Sequence, residues 1–308
     1  MISVAYLVPT SAENTLVRYP KLSRCPQLMK RFLLPRLEPG ELGRMELEEM
    51  TLCRYDAMAW SWTKGEKFRQ KKLMELGRTL SRERMRTVVE AAPLFTEEER
   101  GFLSRRGMFF PDGEAARRAS IDPATEQVMM LLEGELHRIP VVVLGADRPL
   151  GQAWAKRLAG RANEMVLVGE KSTPLQKLAQ ELLEKTGLAA QLRTRDTFQM
   201  RGWATGFLAA EGYDAEAGQF PMNSWLLDLT GAYARAPGRA MILSGGVYAH
   251  PSWPDWNRFS VAQQYKFLEG FRLTDGEAIA KAGFRLAGCY DRGKMISFRS
   301  LYYAKKVS

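Results

Sequence analysis

The chain has 308 residues, 45% hydrophobic and 26% charged, with a formal net charge of +10, three cysteines and two histidines. Such a length predicts two domains with ample core. The composition argues against disorder, a disulfide framework or a zinc site, so Cys25, Cys53 and Cys289 are expected as reduced, mostly buried thiols. No apolar run approaches the roughly 18 residues of a membrane span, and no basic residue precedes the short apolar start, so a cytoplasmic protein without membrane insertion is expected.

Taken in chain order, ISVAYLVP (2–9) reads as a buried strand, and the stretch through Leu28, Met29, Phe32 and Leu33 reads as a helix. Residues 45–62 fit either period. The segment 64–85 carries Phe68, Leu73, Leu76 and Leu80 at three- and four-residue spacing between basic residues, which predicts an amphipathic helix with a solvated charged face. RTVVEAAPLF (86–95) predicts a strand and EEERGFLSRRG (97–107) a helix. After them EAARRASIDPATEQVMMLLEGEL reads as a helix interrupted at Pro123, giving an α/β pattern for residues 1–137.

From residue 138 the pattern becomes more regular. Val141–Leu144 have no polar alternation, as in a parallel strand buried on both faces, and Gly145 ends the run. Pro149 suits the first turn of a helix, and Gly151 lets the helix start lie close to a ligand. A second apolar strand follows and ends at Glu170, which completes a βαβ crossover. Further strands are expected at 188–196, 224–232 and 239–251, with Met200–Gly212 helical between the first two. The expected fold is therefore an N-terminal α/β domain (1–137), a Rossmann-type doubly wound parallel sheet (138–256) and a C-terminal helical segment (257–308) closing on the first domain.

The glycine step from Gly145 to Gly151 departs from the three-glycine dinucleotide fingerprint, because Arg148 stands at the middle position. Its context still points to a dinucleotide: a strand precedes it, a helix amino terminus with free N–H groups follows it, and Glu170 stands where an acid meets an adenosine ribose. Gly145, Asp147, Arg148, Gly151 and Glu170 are thus candidate cofactor ligands, with Thr230, Gly231, Gly245 and Gly246 at the carboxyl ends of later strands. Lys171 and Ser172 suit a 2′-phosphate, which leaves NAD and NADP both open. The charge favours NADP, since residues 138–308 carry 23 Lys and Arg against 15 Asp and Glu, while residues 1–137 carry 22 against 20. Nucleic acid is not expected as a partner, because no zinc-finger spacing, aromatic-basic signature or basic tail is present.

The stretches VVVLGADRPLG, MVLVGEKSTPLQKLAQEL and MILSGGVYAHP resemble the nucleotide-binding domain of the shikimate and quinate dehydrogenase-like group. Within that group they are most similar to the long-chain acyl-carrier-protein reductases, whose glycine turn has the same six-residue step and whose later strand also ends in paired glycines. LTDGEAIAKAGFRLAG (273–288) is similar to their closing helix, so the resemblance covers about residues 138–290. It implies a catalytic domain first, a Rossmann domain second and a closing carboxy-terminal helix. The chain departs from the family in chemistry: residues 111–129 hold no nucleophilic cysteine, and the Lys and Asp motifs of shikimate dehydrogenases are absent.

His250 and Tyr248, just after Gly245–Gly246, are the candidate proton-transfer residues, against a plain packing role for each. The aromatic cluster Trp253, Trp256, Phe259, Tyr265 and Phe267 reads as a cleft lining or as core. Two function classes follow. One is an NAD(P)-dependent oxidoreductase acting on a carbonyl or acyl group, free or carrier-bound, held between two domains. The other is a Rossmann-scaffold protein without catalysis, serving as a nucleotide sensor or assembly partner. Homo-oligomerisation is open in both.

Overall fold

The computed structural model describes residues 1–131, 135–195, 206–209, 225–230, 241–291 and 294–307. The chain divides into two compact units: Met1–Asp112 with Lys266–Arg272, and Gly113–Tyr265 with Leu273–Ser308.

In the first unit the elements run β1 (Ile2–Val8), α1 (Ala12–Val17), α2 (Pro20–Ser23), α3 (Gln27–Leu33), β2 (Gly40–Leu47), β3 (Met50–Asp56), α4 (Glu66–Arg82), β4 (Thr87–Glu90) and α5 (Glu97–Ser104). The sheet order is β2-β3-β1-β4, with β1 parallel to β3 and β4, and β2 antiparallel at the edge. The ambiguous stretch 45–62 becomes the β2–β3 hairpin and a 3₁₀ turn, Ala59–Lys64. Leu73, Leu76 and Leu80 of α4 bury against Leu7, Cys53, Tyr55 and Val88 of the sheet, while Phe68 stays half-buried at the helix start. Desolvation raises the Cys53 thiol above its ordinary pKa, so this cysteine is an inert core residue. Thr96 and Glu99 form a capping box that starts α5.

The second unit begins with α6 (Glu114–Ala119) and α7 (Ile121–Leu131). The helical stretch predicted with a break at Pro123 breaks instead at Ser120, whose N–H and hydroxyl both bond the Ala116 carbonyl. Pro123 falls in the first turn of α7, where a missing N–H leaves no bond unmade. Next come β5 (Val141–Leu144), α8 (Pro149–Leu158), β6 (Met165–Gly169), α9 (Ser172–Thr186), β7 (Gln191–Thr194), β8 (Gly206–Ala209), β9 (Trp225–Asp228) and β10 (Met241–Ala249). The unit also holds the first half of α10 (Val261–Gly270), then α11 (Gly276–Lys281), β11 (Arg285–Asp291), β12 (Lys294–Ser297) and α12 (Phe298–Val307). The segment after residue 257, expected to be helical, thus also supplies two strands.

Eight strands of the described residues form one sheet in the order β12-β11-β10-β9-β8-β5-β6-β7. Numbered from β5, its parallel part has the order 3-2-1-4-5-6 of a doubly wound dinucleotide-binding sheet. Strand β8 corrects the helix expected over 200–212; the remainder of that range lies outside the described residues. Gly206 and Leu208 are buried, and a four-residue apolar run inside a sheet has no period that separates it from helix. Val141, Val143, Met165 and Leu167 pack with Trp154 and Leu158 of α8 and with Leu175, Leu178 and Leu182 of α9. Gly245 and Gly246, expected to end their strand, lie inside β10. There the parallel pairing with β9 stops at Ser244 and antiparallel pairing with β11 begins, across a register shift that two residues without side chains accommodate.

Candidate functional site

The site is built on the turn between β5 and α8, beside the point where the strand order reverses. Gly145 has φ +74°, a left-handed conformation open to glycine, and its carbonyl accepts from the Arg148 N–H at 2.9 Å. A Cβ on Gly151 would lie 2.1 Å from the Gly145 carbonyl oxygen. Close packing of the helix on its own turn, not space for a ligand, is therefore what demands glycine there, which corrects the reason expected from the sequence. Proline at the first position of α8 starts the helix, whose first-turn N–H groups open towards the strand ends.

Arg148 explains why the middle glycine is dispensable. Its backbone is extended, with φ −99° and ψ 155°, so a side chain is tolerated there. The guanidinium turns outward and meets Glu170 at 3.4 Å, and Arg195, directly after β7, meets the other Glu170 oxygen at 3.3 Å. All three side chains are a little over 40% exposed. Arg195 was not singled out in the sequence; its signal is its place at the end of the third strand, two strands from the glycine turn. Asp147 acts differently, since its carboxylate accepts from the N–H groups of Glu170 and Lys171 at 3.2 Å each and so holds the exit of β6 against the turn. Lys171 and Ser172 are exposed at the start of α9.

Farther along the sheet, Asp228 is fully buried at the end of β9 and accepts from the N–H of Thr230 at 2.7 Å and from its hydroxyl. Gly231 lies outside the described residues. The structure thus brings Gly145, Asp147, Arg148, Gly151, Glu170, Lys171 and Ser172 to one edge, with Thr230 at the end of another strand of the same sheet.

His250 and Tyr248 do not join that edge. His250 stands six residues past Ser244, roughly 20 Å along an extended strand, and is 8% exposed. Its Nδ1 accepts from the Ser252 N–H at 3.1 Å, which leaves Nε2 to donate to the Ala282 carbonyl at 3.0 Å, so backbone engages both nitrogens. The ring packs on Phe284 at 4.9 Å, and Trp253 and Trp256 stack beside it. Tyr248 is 2% exposed; its hydroxyl bonds Ser120 and its ring meets Tyr265 edge-on. Burial pushes the Tyr248 hydroxyl up to about 12, outweighing the opposing Ser120 bond, so it keeps its proton at neutral pH. Ser120 and Arg117, both buried and hidden in a stretch that reads as plain helix, complete this polar cluster, with the Arg117 guanidinium 6.0 Å from the Tyr265 ring centre. Of the remaining aromatics, Phe259 packs on Trp256, whereas Phe267 belongs to the first unit and packs on Tyr6.

Among the described residues no group of three or more His, Cys, Asp or Glu side chains is placed to hold a metal ion, and no helix is long and apolar enough to cross a membrane. No protein-family model and no curated protein sequence matches the chain. Solved structures similar to it include L-tryptophan dehydrogenase from Nostoc punctiforme, at 10% identity and TM-score 0.44, covering 98% of this chain and 80% of that one. Ligand-free 5-ketofructose reductase of Gluconobacter sp. aligns at 11% identity and TM-score 0.31, covering 99% and 98%. A putative aspartate carbamoyltransferase from Trypanosoma cruzi aligns at 13% identity and TM-score 0.33, covering 87% and 82%. Similarity of this grade says nothing of the reaction.

Proposed function

We propose that the second unit binds a nicotinamide dinucleotide across the Gly145–Gly151 turn, with NADP preferred, and that the chain is an NAD(P)-dependent oxidoreductase acting on a carbonyl or acyl substrate. One observation carries this reading: the glycine turn stands on the first strand of a 3-2-1-4-5-6 sheet, beside the switch point where such sheets take their ligands. The first turn of α8 faces the pyrophosphate with unbonded N–H groups and the positive end of the helix dipole. Arg148 and Arg195 neutralise Glu170, so a 2′-phosphate meets two guanidinium groups and Lys171 in place of a bare carboxylate. The bound dinucleotide supplies the hydride. This chain's residues orient the cofactor, and Tyr248, buried against Ser120 with its proton held, is not the base.

The second reading, a nucleotide sensor or assembly partner without catalysis, is favoured by one feature: His250 has both nitrogens engaged by backbone, and Tyr248 is buried against Ser120. Fluorescence titration with NADPH and NADH, followed by a screen of carbonyl substrates, separates the two. The oxidoreductase predicts binding with turnover; binding without turnover supports the sensor. Lys171→Ala is expected to weaken NADPH about tenfold and to leave NADH nearly unchanged. Equal losses for both cofactors, or no binding of either, would refute the assignment.

A further inference from the structure

The first unit holds a cavity of about 590 Å³ that the dinucleotide reading does not use. It is lined by Arg84, Arg86 and Arg106 with Ser81, Met85 and Met108. Its size falls within the range of small-molecule sites. The two methionines are buried and form an apolar floor, and the three arginines are exposed around it.

Charge balance separates these arginines from the paired ones of the same unit, though Arg24, Arg31, Arg36, Arg54, Arg78 and Arg105 share their lack of an ion pair among the described residues. Arg44 pairs with Glu41, Arg69 with Glu99 and Arg100 with Glu90, whereas Arg84, Arg86 and Arg106 have no carboxylate partner among the described residues. Arg106 lies over the Phe102 ring at 4.3 Å, which orients its guanidinium without neutralising it. The nearby Glu83 carboxylate is engaged by the Tyr55 hydroxyl and lies 3.9 Å from Arg82.

Backbone conformation points the same way. Helices α4 and α5 end in the same kind of turn, with paired bonds from Arg84 to Ser81 and Met85 to Leu80 in one, and from Gly107 to Ser104 and Met108 to Leu103 in the other. The left-handed position is filled by Gly107 (φ +84°) after α5, but by Arg84 (φ +59°) after α4. A side chain there is disfavoured relative to glycine. Helix dipoles account for basic residues in the last turn of each helix. They do not account for an arginine in the one position that favours glycine, nor for Arg86, which lies beyond both helices.

We infer that this cavity binds a small molecule bearing a phosphate group, held by Arg84, Arg86 and Arg106, with its apolar body on Met85 and Met108. The guanidinium fork matches phosphate oxygens two at a time, and three such groups around one cavity fit a dianion better than a carboxylate. The site shares no residue with the dinucleotide edge, so either can fail alone.

Calorimetric titration of the full chain with pyrophosphate, inorganic phosphate and hexyl phosphate tests the inference. Pyrophosphate should bind the wild type, and Arg84→Gly and Arg86→Gln should each weaken it about tenfold, the scale of one charge-assisted bond. Arg84→Gly should also raise the melting temperature, because glycine relieves the left-handed strain, so its loss of binding is not unfolding. An Arg148→Gln/Arg195→Gln variant, which weakens any anion held at the dinucleotide edge, should retain the pyrophosphate binding that depends on Arg84 and Arg86. Hexyl phosphate should bind at least severalfold tighter than inorganic phosphate, because it covers the methionine floor. No binding to the wild type, unchanged affinity in Arg84→Gly/Arg86→Gln, loss only in the dinucleotide-edge variant, or equal affinity for the two monophosphates would each overturn it.

Discussion

The two units both place carboxylates at the ends of parallel strands, and they use them in opposite ways. In the first unit Asp56 is fully buried and accepts from the hydroxyls of Thr10 and Thr15 and from the Met58 N–H at 2.7 Å. Glu90 there accepts from the N–H groups of Leu94 and Phe95 and pairs with Arg100 at 2.8 Å. These groups close loops and are not free for a ligand. In the second unit Asp147 does similar work, but Glu170 stands in solvent between Arg148 and Arg195. Exposed pairs of that kind contribute roughly 0–1 kcal/mol, so an incoming phosphate exchanges with them at little cost. Asp56 and Glu90 are thus tied into loops, whereas Glu170 has only exposed guanidinium partners, which suits the proposed ligand exchange.

The largest expected effect tests the turn on which the second region stands. Gly151→Val drives a side chain into the Gly145 carbonyl, and the unit should lose about 2–4 kcal/mol in denaturant unfolding. A loss below about 0.5 kcal/mol would show that α8 does not sit on its turn this closely.

A smaller effect belongs to the first region. Asp56→Asn keeps the shape but sets an amide against the donors of Thr10, Thr15 and Met58, and should cost about 2–3 kcal/mol. An unchanged midpoint would mean that this carboxylate does not hold the loop.

The smallest stability effect should come from Glu170→Gln, within about 0.5 kcal/mol of the wild type, while NADPH affinity rises severalfold because Arg148 and Arg195 are released. Weaker NADPH binding would show that Glu170 itself contacts the ribose and that NAD is the cofactor.

Much of the second region was legible in the sequence. Val141–Leu144, Gly145 and Pro149 each follow from local chemistry: a two-sided burial run, a glycine that ends it and a helix start. Other features depend on partners distant in sequence. Nothing near His250 announces that the Ala282 carbonyl will accept a hydrogen bond from its Nε2, and nothing near Glu170 announces Arg195. The four residues of β8 carry too short a pattern to separate strand from helix, and the paired glycines of β10 mark a change of pairing partner where a strand end was expected. The break at Ser120 escaped for a related reason, because proline is a visible signal while a serine hydroxyl folding back on its helix is not.

The proposed dinucleotide would lie on the β5–α8 turn and the end of β6. Hydrogen exchange of the full chain with and without saturating NADPH reads that location directly. On the proposed reading, slowed exchange confined to the amides of residues 145–152 and 170–173 is the result expected, since a dinucleotide there would meet the first-turn N–H groups of α8 and cover the neighbouring amides that Asp147 and the turn already hold. Protection of other segments with these two unchanged, or no protection at concentrations that saturate binding, would contradict the account.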